Sequence, residues 1–187
     1  LDMDQVAEAV LYIAGRVLEF EVGDLWLVDE ERDELYRLAA CGTEQGTGSR
    51  RQETGGRKRD ELYRLPLNGE KGIIVAVARS GETLCVPDVQ KNPRYVAVGA
   101  ANRSELAVPM MIGDRLIGVL DAESDRPAAF GERDIQLLRS QVHHNAPRLL
   151  QNDVRRRNIG HPELSTNIHH SVHLPRSDIA DLKGSSA

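Results

Sequence analysis

The strongest constraint on the fold of this chain is a pair of alternating segments separated by a two-residue turn. On each side of Gly113-Asp114, every second residue is apolar or glycine. This alternation is typical of a strand with one buried face, and a short loop that contains glycine is typical of a β-hairpin. The sequence therefore predicts two antiparallel strands over residues 104–124. The alternating positions are Leu106, Val108, Met110, Ile112, Leu116, Gly118 and Leu120.

Three segments have helical periodicity instead. Spacings of three and four predict a helix over residues 4–18 with an apolar stripe of Val6, Val10, Ile13 and Val17. A short helix is predicted over residues 71–79, and Gly81 is a typical helix end. A third helix starts near Gly131, and its apolar residues have an approximately heptad spacing. This stripe indicates either a dimerisation helix or a helix packed on a sheet; it consists of Ile135, Leu138, Val142 and Leu149.

The first half of the chain contains an exact internal repeat. Residues 25–28 and 34–41 predict a hairpin around a charged turn, and the segment from Arg32 to Leu38 recurs identically over residues 59–65. Two copies are too few for a solenoid, so we interpret them as two strands of one sheet. The alternative is a twofold ligand site with a Tyr and an Arg from each copy. Residues 42–58, between the copies, are predicted to form an exposed loop.

Composition narrows the classes of partner. The 187 residues suit one domain with extensions, and the net charge of −5 argues against a nucleic-acid partner. No apolar run reaches the roughly 20 residues that cross a bilayer, and no secretory signal is present, so we expect no membrane partner and a cytoplasmic location. Cys41 and Cys85 are too few for a disulfide scaffold or a cysteine zinc site, and we expect both to be reduced.

Motifs for catalysis and metal binding are absent from the sequence. It contains no Gly-x-Ser-x-Gly elbow, phosphate-binding loop or His-Glu-x-x-His helix. We therefore expect no catalytic residues and a protein that is not an enzyme. Asp121 and Glu123 are interpreted as solvated or capping residues. His169 and His173 would share a helical face but supply only two ligands, so no metal site is predicted and the cofactor is unknown.

Four phrases in order along residues 6–141 resemble the GAF domain. They are Lys-Gly-Ile-Ile at 71–74, Gly-Glu-Thr-Leu-Cys-Val-Pro-Asp-Val at 81–89, Asn-Pro-Arg-Tyr at 92–95, and the hairpin at 104–124. The resemblance implies an α+β fold, with an antiparallel sheet, helices packed on one side and a ligand pocket on the other. Residues 1–154 would form this domain with its terminal helices. Residues 155–187 would be a polar tail that contains His, Ser and Pro.

The same resemblance implies a regulatory sensory module of a signal-transduction protein. Such a module binds a small molecule, here of unknown identity, or mediates homodimerisation through its terminal helices, or does both. The residues that would line the pocket are Trp26, Ile74, Tyr95, Val96 and Ser104. Trp26 and Tyr95 could equally be core aromatics. The alternative function is that of a purely structural dimerisation domain.

A redox enzyme is the third possibility. The free methionine-R-sulfoxide reductases are enzymatic members of the GAF family that use cysteines in this pocket. By approximate alignment the positions of those cysteines hold Ile74 and Val98 here. We therefore expect no thiol-dependent reductase activity. Residues 88–103 also contain no cysteine or histidine for covalent attachment of a chromophore. Every histidine of the chain lies after residue 142, so we expect no haem ligand in the pocket.

Overall fold

The protein is described by a computed structural model that covers residues 2–18, 20–42, 63–96 and 102–160. These residues form one six-stranded sheet in the order β3-β2-β1-β6-β5-β4, and every neighbouring pair is antiparallel. This architecture confirms the predicted α+β class and both predicted hairpins. The strands are β1 Val22–Asp29, β2 Glu34–Gly42, β3 Arg64–Pro66, β4 Leu84–Val86, β5 Ser104–Ile112 and β6 Arg115–Ser124, and the helices are α1 Met3–Leu18, α2 Ile73–Ser80 and α3 Glu132–Gly160.

Helices α1 and α3 pack together on one face of the sheet. The predicted stripe of α1 is only half right, because Ile13 and Val17 are 45% and 49% exposed. The buried face instead includes Leu11 and Ala14, together with Met3, Val6, Ala7, Val10 and Leu18. Alanine has no large side chain to separate the helix from its neighbours, so it allows close packing that a search for large apolar residues does not detect.

The heptad residues of α3 belong to the core of the molecule. Leu138, Val142 and Leu149 are buried in the cluster that α3 forms with α1 and the sheet. Their interpretation as a dimerisation seam is therefore wrong, and the alternative of a helix packed on its own sheet is confirmed. Helix α3 also continues to Gly160, so residues 155–160 belong to this helix and the predicted boundary at residue 155 is not a break in structure. The tail histidines lie outside the described residues.

Helix α2 lies on the opposite face of the sheet. Its Ile73 and Val77 pack against Trp26 of β1 and Val119 of β6, in a second core cluster. Gly81 ends the helix in the left-handed conformation, with φ of 67°, and its N–H donates to the carbonyl of Val77. No helix among the described residues has the length and hydropathy needed to cross a membrane.

The two copies of the internal repeat pair with each other, as far as they are described. Tyr36 lies opposite Arg64 in the β2–β3 pair, and the N–H of Arg37 donates to the carbonyl of Tyr63 at 3.0 Å. The Arg37 guanidinium lies 3.4 Å from the centre of the Tyr63 ring. Each Tyr-Arg pair therefore joins one copy to the other across a local twofold relation. This confirms two strands of one sheet; residues 43–62, which include the start of the second copy, lie outside the described residues.

Opposite residues of an antiparallel pair share a face, and adjacent residues along a strand do not. Arg37 therefore lies on the α2 face. Tyr36 lies on the α1/α3 face, where its hydroxyl donates to Asp153 of α3 at 3.3 Å. Arg64 shares that face and binds Asp29 at 2.9 Å.

Candidate functional site

The register of the three central strands brings four acidic residues together on the α2 face. Asp24 of β1 lies opposite Asp121 of β6, and Glu123 of β6 lies opposite Glu105 of β5. Residues two apart on β6 share a face, so the four form one block, which we call the carboxylate cluster. Asp121 and Glu105 are only 1% and 4% exposed. One carboxylate oxygen from each of Glu105, Asp121 and Glu123 lies within 4.8 Å of the other two, so three oxygens can converge on one cation.

Two members of the carboxylate cluster have polar partners. Asp24 accepts from Arg37 at 3.3 Å, and Glu123 accepts from the side-chain amide of Asn102. Within the described ranges, no lysine or arginine forms an ion pair with Glu105 or Asp121. Neither buried oxygen of Asp121 accepts a hydrogen bond from an N–H or hydroxyl group of those residues. The centre of the cluster therefore lacks a compensating positive charge from the described chain.

Burial and mutual repulsion favour the protonated forms of these groups. Burial, reinforced by the negative charge of Glu123, raises the pKa of Glu105 to about 8. Burial followed by the charge of Glu105 raises the pKa of Asp121 well above its usual value. When one of the two carries a proton, it can donate a hydrogen bond to the other. Both shifts favour protonated carboxyl groups in the cluster near neutral pH.

Two of the predicted aromatic residues border the carboxylate cluster. Trp26 follows Asp24 by two positions on β1, and its buried indole N–H has no acceptor among the described residues. Tyr95 is half-buried and packs on the same apolar cluster as Trp26. Burial raises the pKa of the Tyr95 hydroxyl, and the charges of Glu123, Glu105 and Asp121 raise it further. The hydroxyl therefore lies within the electrostatic field of the acidic groups.

Backbone hydrogen bonds hold the segment between β4 and β5 that carries Tyr95, which we call the connection. The N–H of Gly72, just before α2, donates to the carbonyl of Arg94 at 2.7 Å. At the far end of the connection, the N–H of Arg103 donates to the carbonyl of Ser124 at 2.7 Å, and the Arg103 side chain binds Asp88 at 3.3 Å. The connection is thus fixed to α2 on one side and to β6 on the other.

The other three predicted site residues differ in placement. Ile74 of α2 is half-buried and packs on the same apolar cluster as Trp26 and Tyr95, whereas Val96 is 49% exposed. Ser104 does not join them, because it precedes Glu105 on the strand and so faces α1 and α3. Its hydroxyl donates to the carbonyl of Arg126 at 2.7 Å and accepts from the N–H of Ala129 at 3.3 Å. The prediction that Ser104 offers its hydroxyl to the pocket is therefore corrected.

Sequence reasoning missed the acidic residues. The interpretation of Asp121 and Glu123 as solvated or capping is wrong, since Asp121 is buried and Glu123 is half-buried beside it. The available signal was an acidic residue at alternate positions of strands that are otherwise apolar. Position 98 cannot be compared, because residues 97–101 lie outside the described residues.

Both cysteines lie away from the carboxylate cluster. Cys41 lies opposite Gly23 on β1, and Cys85 lies opposite Leu106 on β5. Both thiols are free and pack against the α1/α3 core, on the other face of the sheet. Burial raises the pKa of each thiol, so both favour the neutral form.

Comparison with known proteins gives a family and several relatives. A family model described as GAF domain matches residues 1–149. GAF domain-containing protein A of Dictyostelium discoideum is 35% identical over 88 residues, which are 42% of this chain and 56% of that protein. The free methionine-R-sulfoxide reductase of Escherichia coli is 29% identical over 79 residues, or 42% of this chain and 47% of the enzyme. The chain thus spans about half the length of these curated relatives.

Solved structures show the same fold. The GAF domain of an Acinetobacter phosphoenolpyruvate-protein phosphotransferase has a TM-score of 0.68 at 16% identity, covering 82% of this chain and 86% of that one. A free methionine-R-sulfoxide reductase from Neisseria meningitidis, in complex with its substrate, has a TM-score of 0.65 at 24% identity, covering 82% and 81%. The expectation that this chain is not an enzyme is contradicted, because its relatives and structural neighbours include enzymes.

Proposed function

This chain belongs to the GAF domain family, and on that premise we propose that it is the sensory module of a cytoplasmic signal-transduction protein, with the carboxylate cluster as its receptor for a small cationic molecule. Family membership supports a sensory, ligand-binding module. The observation that carries the finer proposal is the burial of Glu105 and Asp121 without a positively charged partner among the described residues.

The energetics of the carboxylate cluster support a cationic ligand. Buried carboxylates destabilise a fold unless a positive charge or hydrogen-bond donors compensate them. Groups whose ionisation is so perturbed concentrate at functional sites. An ammonium group supplies one positive charge and three donors, which matches the convergent oxygens of Glu105, Asp121 and Glu123.

The aromatic residues favour an organic cation over a metal ion. Trp26 and Tyr95 border the carboxylate cluster, and aromatic faces attract organic cations. The indole N–H of Trp26 also needs an acceptor, which a bare metal ion does not provide. The ligand we propose therefore combines an ammonium group with a nearby oxygen acceptor. Methionine sulfoxide has both groups, and the Neisseria reductase to which this fold is similar was solved with its substrate. The molecule is a zwitterion, so its ammonium group would face the carboxylate cluster and its own carboxylate would face away from it.

Binding can be measured through a single reporter, because Trp26 is the only tryptophan of the chain. We expect methionine sulfoxide to shift the indole N–H resonance of Trp26, and N-acetylmethionine sulfoxide, which lacks the ammonium group, to have no such effect. Tyr95→Ala should weaken binding by about 1 to 3 kcal/mol while the protein stays folded, since it removes one aromatic contact. Glu82→Gln, at an exposed position before β4, is the matched control. If the indole resonance responds to no amine probe at millimolar concentration, the proposal of a cationic ligand fails.

Homodimerisation through the terminal helices is part of the same proposal. With the heptad residues of α3 buried, the apolar residues that support a contact with a second copy are on α1. Tyr12, Ile13 and Val17 are its exposed large apolar side chains. A purely structural dimerisation domain is the alternative, and it would bind no probe at Trp26.

A further inference from the structure

The geometry points to an exchange of a cation for protons at the carboxylate cluster. The bound cation replaces protons that Glu105 and Asp121 hold in the free protein, and these protons pass to the solvent. The inference rests on the proposed function and adds a regulatory property to the same site. It makes the apparent affinity of the module depend on pH as well as on ligand concentration.

The arrangement of the two carboxyl groups is the first argument. Glu105 and Asp121 lie on neighbouring strands, diagonal to each other, because Glu105 is opposite Glu123 and Asp121 is opposite Ala107. Their oxygens lie within 4.8 Å of each other. Both side chains are almost completely buried, so water screens their repulsion poorly. Two such groups release their protons in two coupled steps, and the second anion forms at a higher pH than the first unless something compensates it.

The groups that the structure describes around this pair supply it with no ion pair. Strand β1 contributes Asp24, whose positive partner is Arg37 of β2. Strand β6 contributes Glu123, which accepts from Asn102. The connection contributes the hydroxyl of Tyr95, and described α2 residues on this face, including Ile73 and Val77, are apolar. One guanidinium thus faces four carboxyl groups among the described residues, so Glu105 and Asp121 form no ion pair with that part of the chain.

The direction in which pH changes the apparent affinity follows from the burial of Glu105 beside Glu123. Burial and the charge of Glu123 raise the pKa of Glu105 to about 8, so below that pH an entering ammonium group must displace a proton. For each proton released, the apparent affinity should rise about tenfold per pH unit and level off near pH 8. The ammonium group of a free amino acid stays largely protonated through this range, because its own carboxylate raises its pKa above that of a peptide amino terminus. The ligand itself therefore does not reverse the trend.

Titration calorimetry of the full chain with methionine sulfoxide tests the exchange. Experiments at pH 7 and 8 in phosphate and in Tris should give different heats, because the two buffers take up the released proton with different enthalpies. The affinity at pH 6 is measured in phosphate, since Tris does not buffer there. We expect about one proton released per ligand at pH 7 and an affinity that rises at least tenfold from pH 6 to pH 8. Glu105→Gln should abolish or strongly reduce the proton release, and Glu82→Gln should preserve it.

A ligand-free measurement separates this inference from the proposed function. In infrared spectra, a protonated carboxyl band should persist at pH 7 in the wild type and weaken in Glu105→Gln. Equal heats in both buffers with a pH-independent affinity would overturn the exchange and leave the cationic ligand standing. Absence of the infrared band at pH 6 would also overturn it. Failure of every amine probe to bind, with the infrared band present, would refute the proposed function and with it the exchange.

Discussion

Replacement of Glu105 by glutamine should stabilise the fold at alkaline pH. The glutamine amide would keep the shape of the side chain but carry no charge at any pH. The pKa of Glu105 rises from 4.5 to about 8 because the group is buried beside Glu123. The folded state therefore binds more protons than the unfolded state between these values. The stability of the wild type accordingly falls as pH rises through this window, and the loss is complete above pH 8.

The size of the effect follows from the shift. Each pKa unit corresponds to about 1.4 kcal/mol, so a shift of this size removes about 5 kcal/mol of stability across the window. This is an upper figure, because the carboxylate cluster shares its protons among several groups. We expect Glu105→Gln to match the wild type near pH 5 and to exceed it by several kcal/mol at pH 8. For a chain of this length, such a difference raises the melting temperature by about 10 °C.

Urea unfolding at pH 5, 6, 7 and 8 measures this difference. Circular dichroism and the fluorescence of Trp26 give two independent probes of the transition. Glu82→Gln should follow the wild type at every pH, because Glu82 is exposed. A wild type whose stability stays level or increases from pH 5 to pH 8, or a Glu105→Gln variant that is weaker than the wild type at pH 8, would refute the reasoning.

Four further substitutions test the packing and the proposed contact of α1. Gly118→Ala should lower the free energy of unfolding by about 3 kcal/mol or more, measured by thermal unfolding, because its new methyl would overlap the carbonyl oxygen of Trp26 and lie 2.6 Å from the methyl of Met110. Gly113→Ala is the control, since the position has open space around it and φ of +58°, and it should lower that free energy by only about 1 kcal/mol. Val142→Glu should unfold the protein by placing a charge in the core, and a folded variant with an unchanged melting temperature would contradict the assignment of α3 to the core. Ile13→Glu should change stability by less than about 0.5 kcal/mol and shift sedimentation toward monomer; an unchanged dimer would count against the α1 contact.

The strands and helices were predictable because their periodicity is local. The carboxylate cluster was not, and the reason is one irregularity in the β5–β6 hairpin. Its turn pairs Ile112 with Arg115, and uninterrupted pairing from there would set Glu105 opposite Ala122. The register shift between Met110 and Met111 instead sets Glu105 opposite Glu123. A bulge of this kind leaves little trace in apolar alternation, so the alignment of the acidic residues becomes visible only in three dimensions.

The packing partner of the apolar residues of α3 could not be predicted from the sequence for a different reason. A heptad spacing is satisfied equally by a second helix and by the helix's own sheet. Helix α3 packs on α1 and β5, both distant in sequence, and Leu138 and Val142 are buried in the core that these elements share. Only the packing of those elements decides between the two interpretations. The face of the sheet on which Ser104 lies was likewise not predictable, because side chains alternate between faces along β5 and the face of each residue depends on where that strand begins.

The self-paired repeat fixes the register of β2, and β2 makes side-chain contacts on both faces of the sheet. Arg37 holds Asp24 on one face, while its neighbour Tyr36 holds Asp153 of α3 on the other. A slip of one residue in β2 would turn both side chains to the wrong face together. One contact lies on the α2 face and the other reaches α3, and both come from adjacent residues of β2, so loss of the β2 register would break both at once.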